Sequence, residues 1–586
     1  MASFPDQLQA QVKAWIEADV DPSAQTALAA RAEAAADGEA EALAELRSAF
    51  AGPLRFGTAG LRGPMGQGPG RMNRAVVIRA AAGLFAHLAD AIVQGDQSDA
   101  SPKVVIGYDA RHGSADFARD TAAVVVAAGG RALLWERPCP TPLLAYAVRQ
   151  MRADAGVMVT ASHNPAGDNG YKVYLGGRAL GGQPEADGVQ IVSPADQEIA
   201  ARIAAAPPAN QVPRAPRGWE NVGDDQERAY LRQAVAGVAP AAGAADLRIV
   251  HTAVHGVGAR IAVPALEQAG FTDVHQVPEQ AQPDPGFPTV PFPNPEEPGA
   301  LDLACALAER VGADLVIAQD PDADRCAVAV YDPRAPRGGG WRVLTGDEVG
   351  ALLGEEIAKY WMDQPAASDG GRPTLACSIV SSRLLGRIAR AHLLRHQRTL
   401  TGFKWIARTP GLVFGYEEAI GYCTRPDMVR DKDGITAGLA VARLAARAKL
   451  AQKTLIDLLD DLARRHGLHA TSQLALHLAD SSQMSGVMRA LRRDAPREIG
   501  GVEVARVIDL ADGWEGLAPT DGVIFSLADS SRLTIRPSGT EPKVKCYLEV
   551  IERLAPTADF QAVSRARRAA AARLAALKQA AADLLA

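Results

Sequence analysis

Gly156-Val157-Met158-Val159-Thr160-Ala161-Ser162-His163-Asn164-Pro165 is the stretch on which the reading of this chain turns. The first four residues form an apolar run of strand character, and Ser162 follows at a turn. A serine at the carboxyl end of a buried strand sits where α/β sheets place their chemistry. Pro165 lacks a backbone N–H, and Asn-Pro ends any regular element there, which holds the loop open. Taken alone, such a serine caps or hydrogen-bonds a turn. Its meaning depends on what accompanies it.

Outward from this stretch, strand-like runs alternate with helix-length Ala/Leu segments. Val104–Tyr108 precedes a helix near 114–128, and Ala132–Trp135 precedes a helix near 141–150. That rhythm predicts βαβ units and mixed or parallel sheets covered by helices. A length of 586 residues suggests about four domains of ~150 residues each. Pro/Gly-rich breaks at 207–216 and 333–340 divide the chain, and a long helical stretch from about 434 ends near Gly467. A further break at 365–373 reads as a surface loop. The domains expected are therefore 1–209, 210–333, 334–466 and 467–586. The last differs from the others: 522–525, 531–535 and 544–548 alternate like half-buried antiparallel strands, with an amphipathic helix from about 557 to cover them. Three similar α/β domains and one smaller α+β domain follow.

A net charge of −6 disfavours nucleic-acid binding, which calls for a basic excess. The short knot Arg565-Ala566-Arg567-Arg568 reads as a solvated helix face. Six widely spaced cysteines without a C-x-x-C pair fit buried single thiols in a reducing compartment. The N-terminus shows no signal peptide and no run reaches 18 apolar residues, so the expected setting is cytoplasmic, without a membrane.

Asp320-Pro321-Asp322-Ala323-Asp324-Arg325 follows the buried run Leu315–Ala318. Carboxylates at i, i+2 and i+4 fall on one side of an extended segment. Three like charges crowded together ask for a cation, and an all-oxygen set favours a hard divalent ion such as Mg²⁺. The alternative is a polar loop of capping aspartates. An EF-hand lacks support, because the glycine and glutamate it needs are missing.

Arg536-Pro537-Ser538-Gly539-Thr540-Glu541-Pro542-Lys543 supplies a forked donor, two hydroxyls and a glycine that lets N–H groups turn toward an anion. That suits a phosphate monoester, and it equally suits a Pro/Gly hairpin turn. Gly415-Tyr416-Glu417-Glu418-Ala419-Ile420-Gly421 offers paired glutamates that accept from vicinal sugar hydroxyls or merely solvate a loop. Arg55–Gly63 is a basic, glycine-rich loop that either approaches a phosphate or lies on the surface.

A serine loop, a D-x-D-x-D loop, a Glu-rich loop and an R-P-S-G-T loop, in that order and about one per domain, resemble the α-D-phosphohexomutase superfamily of phosphoglucomutases and phosphomannomutases. The resemblance covers nearly the whole chain. It implies a four-domain, heart-shaped α/β architecture in which each domain gives one loop to a central cleft. It implies that Ser162 carries a phosphoryl group and that Asp320, Asp322 and Asp324, with a phosphoserine oxygen, hold Mg²⁺. Arg325 helps neutralise the phosphoryl group. Arg536, Ser538, Gly539 and Thr540 grip the idle phosphate, and Glu417 orients sugar hydroxyls. Lys404 and Lys432 match basic positions facing the cleft. Lys172 is the first choice as general base, with Arg62 in support, and a lysine serves that role only if its pKa is lowered. His163 shapes the loop or contacts the phosphoryl group, and His255 is structural.

The activity implied is a phosphosugar mutase working through a sugar bisphosphate, which also acts as activator. Glucose 1-phosphate/glucose 6-phosphate is the leading pair. Ala419 stands where many glucose-type members have serine, and the 58–63 loop lies nearer the branch with phosphopentomutases and glucose-1,6-bisphosphate synthase. Ribose, deoxyribose and mannose phosphates are therefore the competing substrates. A metal-dependent serine phosphatase is the reading from another class, and a non-catalytic phosphosugar binder is a third. A monomer or weak dimer is expected.

Overall fold

The computed structural model describes residues 4–57, 60–94, 101–238, 241–334, 339–364, 372–478, 481–538 and 543–585. The chain divides into two compact units. The first comprises Met1–Ala329 and Tyr422–Arg443, and the second Val330–Gly421 and Leu444–Ala586.

In the first unit, the opening stretch builds a mixed sheet in the order Leu61–Pro64, Asp168–Leu175, Ala155–Val159, Lys103–Tyr108, Arg131–Trp135, Glu220–Val222, with Val189–Gln190 beside Asp168–Leu175. Lys103–Tyr108 runs parallel to both its neighbours, whereas Asp168–Leu175 is antiparallel to Ala155–Val159. The helices Ser114–Ala127 and Thr141–Gln150 form where the rhythm places them. The middle strands are buried throughout, as their near-continuous apolar runs require. A second sheet sets Arg248–Thr252 parallel to Asp273–Gln276 and Leu315–Gln319, with Cys326–Asp332 antiparallel at the side of Leu315–Gln319. Both sheets end their parallel strands at the loops that carry Ser162 and Asp320.

The helix Arg74–Gln94 is long and apolar enough to cross a membrane by length and composition. Its apolar residues are used inside the unit: Val77, Ala80, Leu84 and Leu88 join the core of the first sheet, and Ala75, Ile78 and Ala81 pack with Val124 and Val212. Ahead of the first sheet, the helices Asp6–Ala18, Pro22–Ala36 and Ala40–Ala49 close around Leu8, Val12, Leu28, Leu43 and Leu46. The sequence reading had no separate place for this small helical core.

In the second unit, Arg395–Thr399, Thr374–Ser378 and Leu412–Glu417 are parallel neighbours. The last sheet runs antiparallel in the order Leu468–His477, Lys543–Glu552, Arg532–Pro537, Val523–Leu527, Val502–Asp509, Glu498–Ile499. Leu577, Ala581 and Leu585 of the terminal helix Phe560–Leu585 close its core. The four-domain α/β architecture is thus present, with three sheets of α/β type and a final α+β part.

Three local expectations need correction. The helical stretch from 434 is two helices, Gly434–Leu450 and Leu455–His466. Thr454 and Asp457 form a capping box that starts the second. The basic knot is not wholly solvated, because Arg567 forks onto buried Asp460 while Arg565 and Arg568 stay exposed. Of the six thiols, Cys305 is half-buried and the other five are buried. The break at 365–373 falls mostly outside the described residues.

Candidate active site

Ser162 stands in the left-handed region at φ 53°, a strained placement for a serine that turns its hydroxyl out of the strand direction. Two buried side chains hold it there. Its N–H donates to Thr160 Oγ1 over 2.8 Å, and Thr160 in turn donates to Asp109 Oδ2 over 2.6 Å. Arg111 donates to the carbonyls of Ser162 and Asn164 at 2.6 Å, Pro165 at 2.7 Å and Asp168 at 3.1 Å. A planar guanidinium that satisfies four carbonyls at once fixes the loop far better than its own residues do. Asp109 and Arg111 escaped the sequence reading. Their position just past the strand Lys103–Tyr108 was the available clue.

Ser162 Oγ donates to Asp320 Oδ2 over 2.8 Å and lies 3.2 Å from His163 Nδ1. The aspartates do not lie along an extended segment, as the i, i+2, i+4 argument supposed. They close a turn in which the Ala323 N–H donates to the Asp320 carbonyl over 2.8 Å, with Ala323 at φ 57°. The result is the same: one oxygen from each of Asp320, Asp322 and Asp324 lies within 4.8 Å of the others, all buried. Two glycines let other backbone approach this turn. A Cβ on Gly256 would stand 2.3 Å from Pro321 Cα, and one on Gly434 would stand 2.2 Å from the Arg325 carbonyl.

Positive groups surround the carboxylates. Lys172 Nζ is 2.6 Å from Asp322 Oδ2 and 3.1 Å from Asp324 Oδ2, and Lys432 Nζ is 3.2 Å from Asp324 Oδ2. Arg325 approaches Asp324 at 3.9 Å and Asp320 at 4.0 Å. Thr141 adds its hydroxyl to Asp322 Oδ2 at 2.6 Å, another contact the sequence gave no reason to expect. Arg62 donates to Asn164 Oδ1 over 3.2 Å and lies within the field of Asp322 and Asp324.

The surrounding groups act unevenly on the three carboxylates. Burial, reinforced by Asp322 and Asp324, raises the Asp320 carboxyl well above the usual range. Burial also raises Asp322 and Asp324, but Lys172 outweighs it at Asp322, and Lys172, Lys432 and Arg325 do so at Asp324, so both are lowered. Burial lowers Lys172, yet Asp322 and Asp324 more than offset it and the net shift is upward. The lowered lysine needed for a ready base is therefore absent, and Lys172 stands here as an ammonium. His163 is pushed far down by burial and by Arg325 and Arg62, and so is neutral. Asp322 Oδ1 and Asp324 Oδ1 are buried without a hydrogen-bond partner among the described residues. Two orphaned carboxylate oxygens beside a third carboxyl fit a hard divalent cation.

Lys404, Glu417, Arg536 and Ser538 lie in the second unit. Glu417 closes the strand Leu412–Glu417, and Lys404 sits on the short helix Phe403–Ile406. Arg536, in the strand Arg532–Pro537, donates to Thr401, three residues before Lys404. Ser538 donates its N–H to the Lys543 carbonyl over 2.8 Å. Gly539 and Thr540 lie outside the described residues, as do Thr58 and Ala59 of the first basic loop. Glu418 is drawn inward: Ser378 and Ser381 donate to its Oε2 at 2.9 and 3.0 Å. His255, at φ 60°, contacts Thr289 at 2.8 Å.

Comparison with known proteins agrees with this arrangement. The chain matches the phosphoglucomutase/phosphomannomutase alpha/beta/alpha domain I over residues 53–208, domain II over 228–333 and domain III over 345–466, and the C-terminal domain over 489–556. It is 45% identical over 480 residues to the protein named "Probable phosphomannomutase" of Haemophilus influenzae, spanning 82% of this chain and 93% of that one. It is 34% identical over 554 residues to "Phosphopentomutase" of Mus musculus, spanning 86% and 85%. The solved structure of a phosphoglucomutase/phosphomannomutase family protein from Burkholderia thailandensis superposes with a TM-score of 0.63 at 20% identity, covering 90% of this chain and 97% of that one. With the Ser162 loop in domain I, the acidic turn in domain II, Glu417 in domain III and Arg536 in the C-terminal domain, this chain belongs to the phosphoglucomutase/phosphomannomutase family of the α-D-phosphohexomutase superfamily and is an intramolecular phosphotransferase of the isomerase class.

Proposed function

We propose that the chain interconverts a sugar 1-phosphate and the phosphate of the sugar's terminal carbon, with Ser162 as phosphoryl carrier. α-D-Glucose 1-phosphate and glucose 6-phosphate are the first assignment. The observation that carries this reading is the 2.8 Å contact of Ser162 Oγ with Asp320 inside a cluster of three buried carboxylates.

In the proposed cycle the P–Oγ bond of phosphoserine breaks as a sugar hydroxyl bonds to phosphorus, giving a sugar bisphosphate. The hydroxyl proton must reach Ser162 Oγ. Lys172 is assigned to that relay, donating its ammonium proton to Oγ as the P–Oγ bond breaks and taking the sugar's proton in return; its raised pKa keeps it protonated before the transfer. The bisphosphate then turns, and its other phosphoryl group returns to Oγ. Arg62 and Arg325 supply positive charge to the moving phosphoryl group, and neutral His163 contacts it. Arg536, Ser538, Gly539 and Thr540 hold the idle phosphate, Glu417 orients hydroxyls, and Lys404 and Lys432 complete the basic lining. Asp320, Asp322 and Asp324 would hold Mg²⁺, which supplies charge neutralisation to phosphoryl transfer. A sugar bisphosphate would act as activator by phosphorylating Ser162.

Ala419, lacking a hydroxyl beside Glu417, supports a second substrate assignment, ribose or deoxyribose 1-phosphate, and mannose phosphate stands as a third. One experiment tests the proposal. The purified chain is incubated with glucose, mannose, ribose and deoxyribose 1-phosphates, Mg²⁺ and a trace of the matching bisphosphate. Isomer formation is expected, and kcat/KM ranks the sugars. Release of inorganic phosphate without isomer would replace the mutase by a serine phosphatase, and no turnover of any sugar would favour a binding protein.

A further inference from the structure

The parallel strands of the first sheet have a second end, away from Ser162, and it is strongly basic. Lys103 and Arg131 open the strands Lys103–Tyr108 and Arg131–Trp135, and Arg152 lies in the turn leading into Ala155–Val159. With Arg149, Arg178 and Asp187 they line a cavity of about 620 Å³. The strand Ala155–Val159 and the turn after it separate this cavity from Ser162 by roughly 15–20 Å. A volume of this order suits a ligand of nucleotide or sugar-bisphosphate size.

Five cations and one carboxylate face this space. Arg178 is forked onto buried Asp154 at 2.7 and 2.9 Å, and Arg131 contacts Glu220 at 2.8 Å. The other three have no carboxylate at hydrogen-bond distance among the described residues. Lys103 Nζ donates to the Met151 carbonyl over 3.1 Å. Arg149 Nε is buried without an acceptor and lies 3.7 Å from Asp187. Arg152, exposed, has no side-chain partner among the described residues, and its backbone is at φ 49°. Nothing in the turn itself calls for an arginine in the left-handed region, where glycine or asparagine is at ease. Guanidinium groups in this density are suited to forked recognition of phosphoryl oxygens, and Asp187 is placed to accept from a hydroxyl.

We propose that this cavity binds a small hydroxylated diphosphate, meaning two phosphoryl groups on a sugar or nucleoside, at a site separate from the catalytic one. The cavity is also wired to the catalytic residues. Arg149 NH1 donates to the carbonyls of Pro426 and Asp427 at 3.0 and 2.8 Å, and Arg430 donates to the Glu185 carbonyl over 2.9 Å. Those residues belong to the segment whose Lys432 contacts Asp324. A ligand that draws Arg149 to itself competes with the 426–427 carbonyls and loosens the seat of Lys432, so occupancy lowers kcat. The coupling is reciprocal for binding.

The test is calorimetric titration of the full chain at low salt with ADP, inorganic pyrophosphate and a sugar bisphosphate, alongside Arg131→Ala/Arg152→Ala. Micromolar to submillimolar binding of at least one compound is expected. The double variant should weaken it by about tenfold or more while turnover with only the activating trace of bisphosphate stays unchanged. Because a sugar bisphosphate also meets the catalytic site, whichever of ADP and the sugar bisphosphate loses more affinity in the double variant names the source, and an equal loss for pyrophosphate assigns the affinity to the phosphoryl groups alone. Hydrogen-exchange protection should appear over 149–152 and 177–187. Absence of binding by all three, or equal affinity in the double variant, overturns the proposal.

Discussion

The ammonium of Lys172 donates to Asp322 over 2.6 Å with both side chains buried, so each is the other's principal charge partner. Lys172→Met leaves a buried carboxylate with only Thr141 to satisfy it. Breaking one side of a buried pair costs about 3–5 kcal/mol. A clear drop in Tm without metal is expected, and saturating Mg²⁺ should recover part of it, since a cation at the aspartates replaces the lost charge. An equal deficit with and without Mg²⁺ would show that Lys172 acts by packing alone.

Ser162→Ala should abolish isomerisation and leave the fold intact, because the loop is held by Arg111 and Thr160 rather than by the hydroxyl. Mass spectrometry of the wild-type chain after exposure to a sugar bisphosphate should show one added phosphoryl group at Ser162. Retained turnover in the alanine variant would remove Ser162 from the mechanism.

Arg111→Lys keeps the charge but cannot serve four carbonyls. A misplaced nucleophile on an otherwise correct site should cost roughly 100-fold in kcat, with KM little changed. A rise in KM at constant kcat would instead assign Arg111 to substrate binding.

Arg532, in the last sheet, donates to the carbonyls of Ile379 at 3.0 Å and Ser381 at 2.6 Å, and Ser381 holds Glu418 beside Glu417. Glu549 pairs with Arg532 and Arg383 from the same sheet. Arg383 still pairs with Glu549 in Arg532→Ala, so the loss falls on the carbonyls of Ile379 and Ser381, which are left without a donor. The variant should therefore raise KM several-fold through the Glu417 loop and lower stability by about 1–3 kcal/mol. A wild-type KM in the variant would break the connection.

Burial lowers His251 to about 4, against only a small opposing bond from Gln319. Its pKa in the unfolded chain is near 6.5, so between pH 6.5 and 4 the unfolded chain binds a proton that the folded chain refuses. The stabilisation is fully present above pH 6.5 and falls as pH drops toward 4, by about 3 kcal/mol in all. Urea unfolding of the first unit across that range should show the decline, and His251→Gln should flatten it. Identical slopes would point to other groups.

The strand–helix rhythm was legible because the middle strands of the first sheet are buried on both faces and read as unbroken apolar runs. The serine, aspartate and glutamate loops were legible because each follows such a run, and the R-P-S-G-T loop because it follows an alternating strand. Arg111, Asp109 and Thr141 were not, since their importance rests on carbonyls, a hydroxyl and a carboxylate 50 to nearly 200 residues away in sequence. The turn at Ala323 was hidden for a different reason: alternate carboxylates converge on an extended segment or in a tight turn, and sequence period does not separate the two. The state of Lys172 depends on two opposing effects, burial and paired aspartates, whose balance only geometry decides.

The excursion Tyr422–Arg443 brings Lys432 to Asp324, Asp431 to the Tyr174 hydroxyl at 2.8 Å and Asp433 to the Tyr230 hydroxyl at 2.8 Å, all within the first unit. During synthesis the ribosome delivers the serine and the three aspartates long before this strand of chain emerges. The nascent first unit must therefore wait, with two buried tyrosine hydroxyls uncapped and one cation short, while residues 330–421 are made. A gene truncated at codon 329 encodes an unfinished body, and co-expression of a second piece beginning ahead of Tyr422 is what would complete it.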